Sequence, residues 1–126
     1  MTKTQARKAR ERREREERER NRRNDNIVNY FDTTYGRDVT KLEKWQLLCQ
    51  DLGVDAGPSI NKCKTALKGI YVNIVDFVAA KQAGEEVHLF RSYKALQTYI
   101  LRTGKVFPLK RAKQSPILNW MLIDVF

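Results

Sequence analysis

A chain of 126 residues has the length of one domain, and its 25 Lys+Arg against 15 Asp+Glu give it a formal charge of +10. That balance points to polyanions such as nucleic acid, anionic lipid or an acidic protein surface. The absence of any run of about 18 apolar residues excludes a spanning helix, and one histidine with two cysteines makes no structural zinc site.

From Arg7 to Arg23 the chain reads RKARERREREERERNRR, and no large apolar side chain occurs before Ile27. Residues 1–25 hold 11 basic and 6 acidic residues, so half of the net charge lies here and half in the rest. Glutamates stand four residues ahead of arginines at Glu11→Arg15, Glu14→Arg18, Glu16→Arg20 and Glu19→Arg23. That is the better orientation of the helical ion pair, each contributing about 0.2–0.5 kcal/mol. The segment is expected to be an arm, a single helix or disordered. No register places apolar residues at a and d, so it is not a coiled coil despite its coiled-coil-like charged pattern. Residues 26–37 are expected to be a linker and 38–126 the folded domain.

Thr40 and Glu43 have the T-x-x-E spacing of a capping box, and Leu42, Trp45, Leu48, Cys49 and Leu52 follow at helical spacing up to Gly53. Asp55-Ala56-Gly57-Pro58 is turn chemistry, and Ser59 is an N-cap for the next helix. From Ile60 to Val78 the apolar residues keep one phase, which predicts one long helix, kinked at Gly69 at most and ended by Gly84. The β-branched run Tyr71–Val75 favours a strand and is overruled by that phase. Residues 85–90 read as extended. Ser92 caps a helix carrying Ala95, Leu96, Tyr99 and Ile100 that stops at Gly104. Residues 105–109 are extended, because Pro108 disfavours helix before it, and they are the expected partner of 86–90 in a minimal ribbon. Ser115 and Pro116 open a last helix that is apolar all round. The fold class is therefore mainly α: a small domain of four or five helices, with at most one short two-stranded ribbon, behind a charged N-terminal arm.

Leu48–Leu67 bears comparison with a DNA-binding helix-turn-helix, with Cys49 at the small position and Gly53 at the turn. Its second helix turns Asn61, Lys62, Lys64, Thr65 and Lys68 outward, residue types that contact base edges and phosphates. The connection exceeds the 3–4 residues of that motif, so an ordinary helical hairpin with a lysine-rich face is the preferred reading. Lys105, Lys110, Arg111 and Lys113 form a second basic cluster around Phe107. Gly104-Lys105 lacks the upstream glycine and following Ser/Thr of a P-loop. His88, the lone histidine, meets no nucleophile motif, and Glu85-Glu86 are expected to be solvated. No catalytic residue, metal or cofactor is assigned, and an enzyme is not expected. The candidate nucleic-acid contacts are Arg12, Arg13, Arg22, Arg23, Asn61, Lys62, Lys64, Lys68, Lys110 and Arg111. The alternative is a protein-interaction or dimerisation module that docks through Trp120, Met121 and Phe126 of the apolar last helix.

Three stretches, LEKWQLLCQDLGV (Leu42–Val54), SINKCKTALKGIYVNIVDFV (Ser59–Val78) and FRSYKALQTYILRTGKVFPLKRAK (Phe90–Lys113), resemble a group of small uncharacterised proteins of filamentous fungi. The resemblance leaves out the arm. It implies a fungal, intracellular, compact domain and transfers no activity. Two cysteines in apolar helical patterns suit a reducing compartment, and the charged N-terminus lacks a secretory h-region. The expected location is nuclear or cytoplasmic.

Overall fold

A computed structural model describes residues 2–122 and shows the charged arm helical from its first turn, with α1 running Lys3–Thr34. Thr2 and Gln5 close a reciprocal capping box: Gln5 N donates to Thr2 Oγ1 at 3.1 Å and Thr2 N to Gln5 Oε1 at 2.9 Å. The helix does not stop where the charges stop. Asn24, Ile27 and Phe31 lie on one face at spacings of three and four, are buried, and lead to the buried Tyr35. Gly36 then turns the chain at φ +76°. The linker expected over 26–37 is thus mostly the last third of α1, held in helical form by burial rather than by ion pairs. Within the exposed part, ion pairs form at Arg7–Glu11 (3.8 Å) and Arg10–Glu14 (4.0 Å), the reverse of the expected orientation.

The remaining elements are α2 (Leu42–Asp51), α3 (Ile60–Leu67), β1 (Tyr71–Val72), α4 (Ile74–Ala83), β2 (Leu89–Phe90), α5 (Tyr93–Thr103), α6 (Leu109–Ala112) and α7 (Pro116–Trp120). The domain is mainly α with a single short ribbon, as expected. The N-cap of α2 is Lys41 and not Thr40. Asp38 Oδ1 takes both the N–H and the hydroxyl of Thr40, which turns that side chain back toward Asp38. Ser59, Ser92 and the αL glycines Gly84 and Gly104 cap as read.

The single long helix expected over 60–78 is two helices with a strand between them. Both helices face the same core, which is why the apolar phase survives the break. The extended preference of Tyr71 and Val72 prevails because Asn73 starts α4 afresh: its Oδ1 accepts from Asp76 N at 3.0 Å, and its amide donates to Lys105 O at 2.8 Å. The ribbon is antiparallel, with Tyr71 opposite Phe90 and Val72 opposite Leu89, so 86–90 does not pair with 105–109. Leu109 belongs to α6, which follows Pro108 directly.

The core gathers Trp45, Leu48 and Cys49 of α2, Cys63 and Leu67 of α3, Phe77 and Val78 of α4 and Ile117 and Leu118 of α7 around the end of α1. Phe31 meets Phe77 at 6.0 Å and Tyr35 at 5.4 Å between ring centroids. Among the described residues, no helix is long and apolar enough to cross a membrane.

Candidate functional site

The sequence-derived contacts do not converge on one face. Arg12, Arg13 and Arg22 are exposed on the free part of α1, where every residue from Lys3 to Arg22 except Ala9 is exposed. Arg23 stands at the boundary and is committed to the fold: its guanidinium donates to Val106 O at 2.8 Å and to Asn24 Oδ1 at 3.2 Å. Burial, and then neighbouring Arg20, lower its pKa from 12.5, both disfavouring the charged form. Arg111 of α6 is likewise engaged, paired with Asp25 of α1 and donating to Gln114 Oε1. These two arginines tie α1 to the 106–114 segment, and that is their structural role. Lys110 remains exposed.

On α3, Asn61, Lys62 and Lys68 are exposed, whereas Lys64 is half-buried. The Lys64 ammonium lies 5.0 Å from the Trp45 ring centroid and 5.6 Å from that of Trp120, over two indoles packed edge to face at 5.1 Å. Its charge therefore fastens α3 to α2 and α7. The α2–α3 pair packs as a hairpin whose connection spans 52–59, well beyond the helix-turn-helix turn. The recognition-helix reading thus loses Lys64, the middle of its three lysines.

The proposed docking residues of the last helix fare similarly. Met121 is 1% exposed and turns into the core with Ile117 and Leu118, and Trp120 is half-buried against Trp45. The apolar residues that sequence periodicity could not orient are thus core residues up to Met121. Phe126 lies outside the described residues.

Two polar triads tie separate elements together. Tyr99 Oη donates to Asp76, and Lys105 Nζ reaches Asp76 Oδ1 at 3.0 Å and Tyr99 Oη at 3.1 Å. The bonds from Tyr99 and Asp76 hold the lysine above its usual pKa of 10.5, which stabilises an ammonium and works against a base. Tyr35 Oη donates to Asp51 Oδ2 at 2.6 Å while Lys81 pairs with Asp51 Oδ1 at 3.1 Å. Burial is the main cause raising the Tyr35 phenol far above 10.0. Cys49 and Cys63 are both fully buried, and burial followed by the second thiol pushes the Cys49 pKa up to about 12. A thiol in that state is no nucleophile at neutral pH. Among the described residues no group of three or more His, Cys, Asp or Glu could hold a metal ion.

Sequence reasoning passed over the outer face of α5. Lys94, Thr98 and Arg102 follow one another at i, i+4 and i+8, and with Arg91, Ser92, Phe90 and Tyr99 they line an open groove of about 440 Å³. Nothing in the spacing alone distinguished these charges from ordinary solvated ones; the signal is β2, which brings Phe90 alongside Tyr99. A second concavity, about 220 Å³, is walled by Val72, Ile74, Leu96, Ile100, Phe107 and Leu122, with Val106 and Leu109 exposed at its rim. Its polar lining is Asn73 and Lys105, both already bonded. The chain matches no protein-family model, no curated protein and no solved structure.

Proposed function

We propose that this is a non-enzymatic, nucleic-acid-associated basic protein that grips phosphates mainly through the projecting part of α1. The observation behind the reading is the solvent exposure of Lys3–Arg22 on nearly every side, on a helix rooted in the core by Ile27 and Phe31. At 3.6 residues per turn, Lys8, Arg12, Arg15 and Arg22 fall within an arc of about 80°, with Glu19 the one acid among them. Arg13 lies on the other side, in line with the buried Phe31. A rigid row of cations offers phosphates several contacts while ordering little new chain. Lys62, Lys68 and Lys110 are secondary contacts on the body, and Lys64, Arg23 and Arg111 support the fold instead.

The test is fluorescence anisotropy with a labelled 20-base-pair duplex between 50 and 200 mM salt. Four phosphate contacts give a log–log slope near about −3.6, and the combined K8Q/R12Q/R15Q/R22Q variant should remove most of it. No binding by the full chain at 50 mM salt would sink the reading. The alternative, an interaction module using the last helix, has lost Met121 as an accessible residue and half of Trp120. No geometric observation favours it.

A further inference from the structure

We infer that the groove on the outer face of α5 is a second nucleic-acid site, one that takes an unpaired strand and stacks a base on Phe90. The inference rests on the proposed nucleic-acid association and adds to it a site, a substrate form and a recognition mode.

Lys94 and Arg102 lie eight residues apart on one helix, about 12 Å along its axis. At about 3.4 Å per nucleotide of a stacked strand, that distance matches three to four nucleotides. Arg91 precedes the helix at the Lys94 end, and Ser92 and Thr98 add hydroxyls to the lining. Arg91, Lys94 and Arg102 are exposed, and among the described residues none of them is in an ion pair. By contrast Arg23 and Arg111 are already held by the fold. Asp76 of α4, which accepts from Tyr99, is paired with Lys105 at 3.0 Å, and that ion pair offsets its repulsion of an anion here. Glu85 and Glu86 are exposed ahead of β2, outside the groove lining.

The aromatic floor argues for bases as well as phosphates. Phe90 packs at 4.9 Å on Tyr99 and stands perpendicular to His88 with centroids 4.6 Å apart, which fixes the partly buried ring at the groove. Arg102 lies 5.7 Å over the Tyr99 ring, which holds its guanidinium along the groove wall. Cations interleaved with an accessible, pre-oriented ring are the combination that binds single strands without sequence preference. A paired base keeps its faces inside the stack and cannot reach Phe90. The free part of α1 presents cations and no aromatic ring, so it carries only the phosphate half of this chemistry.

The experiment measures anisotropy of fluorescein-labelled (dT)12 and of the 20-base-pair duplex against the full-length wild type, R91Q/K94Q/R102Q, F90L and the arm variant K8Q/R12Q/R15Q/R22Q. All three groove cations are exposed, and circular dichroism confirms that each variant is folded. The groove variant should bind (dT)12 at least tenfold more weakly at 50 mM salt, with a salt slope flatter by about 2. F90L should cost about tenfold on (dT)12 and leave the duplex unchanged. Inorganic polyphosphate, which has no bases, should compete poorly. The arm variant should lose the duplex and retain most (dT)12 binding. Affinity for (dT)12 within twofold of wild type in both R91Q/K94Q/R102Q and F90L overturns the groove site, and leaves the arm reading standing if the arm variant still loses the duplex. Polyphosphate or anionic phosphatidylserine vesicles competing as well as (dT)12 also overturn it, because a base would then contribute nothing.

Discussion

Asn73 shows at the level of one residue how the fold departs from its hydrophobic pattern. It is 3% exposed, caps α4 through its oxygen and holds Lys105 O through its amide. Asn73→Ala removes a cap and leaves the partly buried Lys105 carbonyl without its partner, so unfolding by urea should register a loss of about 2 kcal/mol. Phe31→Ala empties a site bounded by Tyr35 and Phe77 and should cost about 3–5 kcal/mol in the same measurement. Cys49 and Cys63 should resist a thiol reagent at pH 8 in the native protein and react fully in denaturant; rapid native labelling would contradict their burial. Caps were legible at this scale wherever one side chain decided the outcome, as at Ser59 and Ser92. Thr40 was not, because Asp38, two positions earlier, draws its side chain into a local turn through the N–H and the hydroxyl.

Among the elements, α1 joins two regimes in one helix. Up to Arg22 it depends on helix-forming residues and local ion pairs, and from Asn24 onward on burial. Deleting residues 1–22 should therefore leave the Tm within about 2 °C of the full chain, since exposed charge pairs contribute little. Deleting 1–35 takes away Ile27, Phe31 and Tyr35 together and should abolish cooperative unfolding in a thermal melt. The stripe at 24, 27, 31 and 35 was present in the sequence, but the change from charge to apolar at Ile27 resembles a boundary when read in chain order. The strand Tyr71–Val72 was hidden for the opposite reason: α3 and α4 share a core, so their apolar residues stay in phase across a break in the helix. Its partner, Leu89–Phe90, was read as extended, but a pairing between segments 18 residues apart leaves no local trace.

For the whole molecule, the three groups whose pKa folding raises, Cys49, Tyr35 and Lys105, agree on a direction. Folding raises the pKa of Cys49 from 9.0 to about 12 and pushes Tyr35 upward from 10.0. The unfolded chain loses these protons first, so stability is complete below about pH 9 and falls as pH rises above it. Lys105 adds to this: its raised pKa means its partners stabilise the fold below 10.5, a contribution lost as pH rises through the folded-state value. Chemical denaturation at pH 7, 9 and 10.5 should show nearly equal stability at the first two and a clear drop at the third. A rise toward pH 10.5 would contradict the burial of Tyr35 and Cys49.

The sequence by itself determined the mainly α class, the charge that favours polyanions, the helix starts at Ser59, Ser92 and Ser115 with the stops at Gly53, Gly84 and Gly104, and the exposure of the charged stretch Arg10–Arg22, because these follow from composition, period and single capping side chains. The tertiary structure alone decided which cations remain available. Arg23, Lys64 and Arg111 are spent on a carbonyl, two indoles and an aspartate distant in the chain, while Arg91 and Lys94 stay exposed without an ion pair beside Phe90 and Arg102, also exposed, rests over Tyr99. A charge looks the same in sequence whether it faces water or a partner. Its availability is set by what the folded chain places within a few ångströms of it.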